Sequence, residues 1–241
     1  MSGNITCEAI HFQVGTEEWH SYLNECWRPG PQGSKKPLSD LFKFGQYKGQ
    51  RCFIIAGGPS LRGFDFSQLK GDYTIGINKI NQVFHPWILF SWDKVIYNWY
   101  QTQYIKCPVV MVDVSNSNFD RVFYVRSAGD YGIPQEINRI FIGGHTGYAA
   151  INLALALGFS PIYLLGFDYK ADESGNYHVT DDWEHPRDID NRLERFRKEV
   201  DRYPEYVKGQ EIINLNPGSA LECFPKMNFL EIGGENVKLH R

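Results

Sequence analysis

From Arg51 onward the chain sets short, nearly unbroken apolar runs between polar, glycine-bearing segments, and the runs have the length of strands. They are Cys52–Ala56, Tyr73–Asn78, Trp87–Ser91, Val109–Val114, Val122–Val125, Ile162–Leu165 and Ile212–Leu215. A strand with one wet face alternates apolar and polar residues, whereas an apolar run without alternation must be covered on both sides. Two segments change to the helical period. Thr146–Leu157 is followed by Gly158, a residue suited to the left-handed end of a helix. Ile189, Leu193, Phe196 and Val200 recur at helical spacing among Arg192, Glu194, Arg195, Arg197, Lys198 and Glu199, which predicts a second helix over 189–200 with one solvated face.

The pattern predicts an α/β, Rossmann-like domain over residues 49–241, a mostly parallel sheet with helices on both faces. Residues 1–48 are rich in Gly, Pro, Trp and charge and contain Pro29-Gly-Pro-Gln-Gly-Ser-Lys-Lys-Pro37, so they are expected to form an irregular N-terminal extension or arm outside the core. A neighbouring subunit of a homo-oligomer is a candidate contact for that arm. With 241 residues, 42% of them hydrophobic and 22% charged, the chain can bury a full core, which excludes a disordered or small disulfide-stapled protein. A net charge of −3 offers no general attraction for duplex nucleic acid. Cys7, Cys26, Cys52, Cys107 and Cys223 are scattered, with no C-x-x-C spacing for zinc or a redox pair, and point to the cytoplasm. No apolar run reaches the length of a transmembrane segment, and the first residues lack the basic and apolar regions of an export signal.

Three segments carry candidate chemistry. In Phe53-Ile-Ile-Ala-Gly-Gly-Pro-Ser-Leu61 a buried strand runs into glycines and then a short helix, an arrangement that brings backbone N–H groups close to an anion such as a phosphate. It meets neither the G-x-G-x-x-G fingerprint nor the Walker pattern, and a simple chain reversal is an equal reading. Gly143-Gly144-His145-Thr146-Gly147 is a second glycine-rich entrance to a helix. Thr146 there is a natural N-cap as well as a candidate ligand contact, and His145 reads equally as a packed or an exposed histidine. Two such corners at the carboxyl edge of one parallel sheet can face a single ligand.

The third segment begins after Ile162–Leu165. Gly166-Phe-Asp-Tyr-Lys170 leads into Tyr177, His178, Asp181, Asp182, Trp183, Glu184 and His185, a density of aromatic and titratable groups suited to substrate contacts or a mobile lid. His178 and His185 are the acid/base candidates, since histidine titrates near neutrality. Asp168, Asp172, Asp181, Asp182, His178 and His185 could supply metal ligands, but no metal site is expected. Asp188-Ile-Asp190 falls where a helix starts, and carboxylates are favoured in a first turn. Of the tryptophans, Trp92 and Trp183 are the candidates for stacking on a sugar.

Phe53–Leu61, Ile77-Asn78, Thr146-Gly-Tyr-Ala-Ala with Leu155-Ala-Leu-Gly158, Ile162-Tyr-Leu-Leu-Gly-Phe-Asp168, His185 and Asn216-Pro-Gly-Ser-Ala-Leu221 resemble, in order, the bacterial sialyltransferases of glycosyltransferase family 42. The resemblance covers roughly residues 51–225 and extends to the superfamily of the Maf flagellin glycosyltransferases and the archaeal 6-hydroxymethylpterin diphosphokinase. It implies a metal-independent transferase, without a cofactor, that moves a nonulosonic, sialic-acid-like sugar from a CMP donor to a glycan hydroxyl. By the same resemblance Gly57, Gly58 and Ser60 line the nucleotide phosphate, Asn78 contacts the donor, Thr146 and Gly147 close the pocket, and His185 is the general base. Asp168 belongs to the same nucleotide-binding set. The family's tyrosines at the departing phosphate correspond to Lys170 and Tyr177, and an expected asparagine corresponds to Asp93, which could bind a ribose hydroxyl or magnesium. Two alternatives follow: a Mg-ATP-dependent diphosphokinase using Asp93, Asp168 or Asp181/Asp182, and a non-catalytic nucleotide- or glycan-binding protein.

Overall fold

The strand nearest the first glycine corner shows how the sheet is sandwiched. In a computed structural model, which describes residues 36–93, 96, 105, 107–112, 122–180 and 189–232, Cys52–Ile55 is wholly buried. Cys52 and Ile54 point into one apolar cluster, while Phe53 and Ile55 point into another on the opposite face. The same division repeats in neighbouring strands: Ile88 and Phe90 join the first cluster, Leu89 the second. That is the two-residue period of a strand with both faces covered.

Nine strands are present among the described residues: β1 (Lys36–Pro37), β2 (Cys52–Ile55), β3 (Tyr73–Ile77), β4 (Ile88–Ser91), β5 (Val109–Val112), β6 (Val122–Ser127), β7 (Arg139–Ile140), β8 (Ile162–Leu165) and β9 (Ile212–Asn214). The spatial order is β1-β6-β5-β4-β3-β2-β8-β9, with β7 beside β6, and all these strand pairs are parallel. The chain builds outward from β2 through β6, then crosses back to lay β8 on the other flank of β2, with Ile55 opposite both Gly76 and Leu165. The order therefore reverses between β2 and β8, and the crevice beyond their carboxyl ends is the topological switch point.

The crossover contains α1 (Thr146–Leu157), and α2 (Ile189–Val200) and the single-turn α3 (Tyr203–Tyr206) lie between β8 and β9. All of α1 except Leu155 is buried, against the face that carries Ile54, Ile75 and Leu164. Gly158 ends it at φ +92°, and its N–H reaches back to the carbonyls of Ala154 and Leu155. Two further carbonyls of the last turn are met from outside the helix: Gly45 N–H donates to Ala156 (2.9 Å) and Tyr47 N–H to Leu157 (2.8 Å).

Those contacts alter the expected boundary of the N-terminal extension. Residues 36–48 belong to the domain: β1 pairs with β6, Leu38 and Phe42 are buried, and the ring of Tyr47 stacks on Phe159 at 5.0 Å. Glycine and lysine around this segment disguise it in composition, yet Leu38, Leu41 and Phe42 supply an apolar face to the first cluster. Residues 1–35 lie outside the described residues. No helix among the described residues is long and apolar enough to cross a membrane.

Candidate functional site

The first glycine corner is held shut by its neighbour. Gly58 N–H donates to the carbonyl of Gly166 (3.0 Å), and a Cβ on Gly58 would lie 2.6 Å from Cγ of Asp168. Glycine is required here by the close approach of two strand ends; the backbone angles of Gly58, φ −65° and ψ 153°, are open to any residue. Asp168, 4% exposed, accepts from the Ser60 N–H (2.7 Å), the Ser60 hydroxyl (2.6 Å) and Asn216 Nδ2 (2.6 Å). Ser219 completes the junction by donating its hydroxyl to the Phe167 carbonyl at 2.5 Å, and Ala220 N–H donates to the Asp168 carbonyl at 2.8 Å. Gly58, Ser60 and Asp168 thus form a clamp between the turns after β2 and β8. The expected short helix after Gly58 is a single 3-10 turn, Pro59–Leu61, so no helix dipole is aimed at this corner.

The second corner meets the same β8 turn from the other face of the sheet. A Cβ on Gly147 would stand 2.9 Å from the ring of Phe167, which fixes the start of α1 against the end of β8. The N-cap is His145 rather than Thr146: its Nδ1 accepts the Tyr148 N–H at 3.3 Å, and Thr146 is the first helical residue, buried. A backbone N–H can only donate, so Nδ1 is unprotonated and Nε2 carries the hydrogen. Nε2–H donates to the Tyr203 hydroxyl at 2.5 Å, and that hydroxyl donates to the Gly143 carbonyl at 3.1 Å. Burial pushes the imidazole pKa down to about 3, so His145 is a neutral structural residue. Its ring also faces Tyr169 and Phe196, joining α1, the β8 turn and α2.

Both corners therefore converge on Gly166–Tyr169. Among the described residues, two that are not glycine take left-handed backbone angles, and both follow a sheet strand at this edge: Asn78 and Tyr169, each at φ 54°. Such conformations cost about 1 kcal/mol or more and concentrate at ligand-binding edges. Asn78 Oδ1 accepts the Ser91 hydroxyl (2.9 Å), whose oxygen accepts the Asp93 N–H (3.1 Å), so the ends of β3 and β4 are tied together beside the crevice. Trp92 is 37% exposed there, whereas Trp87 is core.

Backbone donors remain open on this edge. The N–H groups of Gly57, Gly144, Thr146 and Gly147 meet no acceptor among the described residues. For Thr146 and Gly147 this is the usual state of a first helical turn, with the partial positive charge of α1 behind it. The Ser60 donors, in contrast, are committed to Asp168.

The segment after β8 folds back over the β2 corner. Asp172 closes its loop by accepting from the N–H groups of Ser174 and Asn176, both at 2.9 Å, and those bonds, led by that from Asn176, hold its carboxyl below the usual range. Arg62 binds Asp172 at 3.1 Å and the His178 carbonyl at 3.3 Å, while Val179 N–H donates to the Gly57 carbonyl at 2.8 Å. Tyr177 donates its hydroxyl to Asp190 in the first turn of α2, a bond that raises the phenol pKa. Lys170 is exposed on the same segment. His185, with Asp181, Asp182, Trp183 and Asp188, lies outside the described residues. Arg62 carries no motif; Asn216 and Ser219 are visible in sequence only through the Asn216-Pro-Gly-Ser resemblance.

No protein-family model matches the chain, and no curated protein matches its sequence. Among solved structures it is similar to a Maf glycosyltransferase from Magnetospirillum magneticum AMB-1, with a TM-score of 0.50 and 14% identity over 87% of this chain and 37% of that one. It is also similar to the sialyltransferase CstII from Campylobacter jejuni in complex with a substrate analogue, cytidine-5'-monophosphate, with a TM-score of 0.45 and 16% identity over 75% and 85% of the two chains. A mammalian sialyltransferase aligns with a TM-score of 0.34 and 13% identity over 86% and 87%. The chain spans 37% of the Maf glycosyltransferase, and at 14% identity the likeness is one of fold.

Proposed function

We propose that this chain is a nucleotide-dependent glycosyltransferase that moves a nonulosonic sugar from a CMP donor to a glycan hydroxyl. The observation that carries the reading is the meeting of two glycine corners, with open N–H donors on Gly57, Gly144, Thr146 and Gly147, at the switch point between β2 and β8. Open parallel sheets bind nucleotides at that crevice, and backbone donors at a helix start suit a phosphate. The shared fold with a glycosyltransferase adds to it.

In this reading the donor phosphate lies between the Gly57 corner and the start of α1, and Asn78 and Asp93 at the adjacent strand ends face the nucleoside. His185, in the segment leading to α2, takes the proton from the acceptor hydroxyl as that oxygen attacks the sugar carbon opposite the nucleotide, which inverts the centre. Lys170 and Tyr177 stand on the segment between, where Lys170 supplies positive charge to the leaving phosphate. Asp168 acts by fixing Ser60 and the Gly58 corner rather than by touching the donor.

A thermal-shift panel of CMP, CDP, UDP, GDP and ATP, each with magnesium or with EDTA, tests the reading. Selective stabilisation by CMP without magnesium is expected, because only a bound ligand raises the unfolding temperature in proportion to its affinity. Stabilisation by ATP only with magnesium would replace sugar transfer with the diphosphokinase alternative.

A further inference from the structure

Two tryptophans among the described residues flank β4, and their surroundings are opposite. Trp87, before its amino end, is buried among the rings of Phe42, Tyr47 and Tyr73, with centroids 4.9 to 5.1 Å away. Trp92, just past its carboxyl end, is 37% exposed, and its indole has neither a hydrogen-bond partner nor an aromatic neighbour among the described residues. The backbone on either side of Trp92 is nonetheless held. Asn78 N–H donates to the Phe90 carbonyl (3.1 Å), the Ser91 hydroxyl donates to Asn78 Oδ1 (2.9 Å), and Asp93 N–H donates to the Ser91 oxygen (3.1 Å).

A single exposed apolar side chain is ordinary on a protein surface; its place along the sheet edge distinguishes this one. Ile55, Gly76 and Leu89 lie abreast in β2, β3 and β4. The chain therefore leaves the three strands in one row, with Gly57 at the first end, Asn78 at the second and Trp92 at the third. Neighbouring strands are about 4.8 Å apart, so the end of β4 stands about 10 Å along the edge from the glycine corner. A phosphate on the Gly57 N–H, a ribose at Asn78 and a base at Trp92 follow that row in the covalent order of a nucleoside phosphate. The transferred sugar leaves the phosphate toward the opposite flank, where Lys170 and Tyr177 follow β8.

Resting on the nucleotide-site reading, we propose that Trp92 is the base platform of the donor site: the cytosine ring stacks on its indole. Every base presents a π-face, so the indole supplies affinity for the nucleoside and leaves base identity to hydrogen bonds made elsewhere.

Titration calorimetry with CMP and with ribose 5-phosphate, the same ligand without its base, tests the assignment. Trp92→Ala should weaken CMP binding about 5- to 150-fold and leave ribose 5-phosphate within about twofold, while Trp92→Phe, which keeps a stacking ring, recovers most of the CMP affinity. Unchanged CMP affinity in Trp92→Ala overturns the assignment, and is the result expected if the indole stacks on the transferred sugar instead. Equal weakening of both ligands overturns it too, as the mark of a residue that only supports the strand end. A native chain that binds ribose 5-phosphate as tightly as CMP overturns it without any variant. Each of these outcomes leaves the nucleotide site standing, whereas absence of CMP binding by the native chain removes both proposals.

Discussion

Asp168 and Ser60, 108 residues apart, are joined twice: the carboxylate accepts both the backbone N–H and the hydroxyl of the serine, at 2.7 and 2.6 Å. Together with the bond from Asn216 Nδ2, they fasten the turn after β2 to the turn after β8.

Asp168→Asn places an amide nitrogen where the carboxylate received donors, so at least one of the Ser60 and Asn216 donors loses its acceptor. The expected loss is about 2 kcal/mol of stability, the usual scale for an unmade bond at a buried site. Urea unfolding should show a lower midpoint at unchanged slope. An unchanged midpoint would mean that the clamp is not made.

The two glycines of the first corner should respond differently. Gly58→Ala forces a methyl carbon to 2.6 Å from Asp168 Cγ and is expected to cost about 2 kcal/mol by overpacking. Among the described residues, Gly57→Ala meets only His178, at 3.5 Å, so its fold should hold while CMP affinity drops through crowding of the donor edge. Thermal melting with and without CMP separates the two effects. Equal melting temperatures for both variants would contradict the asymmetry.

His145 makes stability depend on acidity. In the native state its pKa is pushed down to about 3, whereas an unfolded chain protonates near the ordinary 6.5. Below that value the unfolded state binds more protons, so stability falls as pH drops, and the fall continues toward the native pKa. Between pH 6.5 and pH 5 the native chain should lose about 2 kcal/mol through this group. His145→Asn keeps a side chain able to cap α1 and carries no titrating ring. Parallel slopes of stability against pH for the two proteins would exclude the buried neutral imidazole.

His185→Ala should reduce transfer by two to four orders of magnitude, roughly the contribution of a general base, while CMP affinity changes little. The measurement is a transfer rate beside a binding constant. Equal loss of both would assign His185 to donor binding.

The apolar runs of this chain were enough to determine a doubly covered parallel sheet, because a strand without polar alternation has only one kind of surrounding. Thr146–Leu157 with Gly158 was legible for a similar reason: an apolar helix that ends in glycine combines a local period with a local stop signal. Both signals are short-range, so the sequence carries them openly.

Only the tertiary structure decided which groups are spent and which are left. Thr146 reads as the N-cap of its helix from local sequence, but His145 takes the cap, and the donors of Ser60 are met by Asp168, 108 residues away. Leu38 and Phe42 looked peripheral in a glycine- and charge-rich stretch until α1 and Trp87 covered them. A hydrogen bond or a close approach between distant turns depends on where the sheet places its strand ends. The return of β8 to the flank of β2 set that placement here, and with it the clamp between Gly58, Ser60 and Asp168.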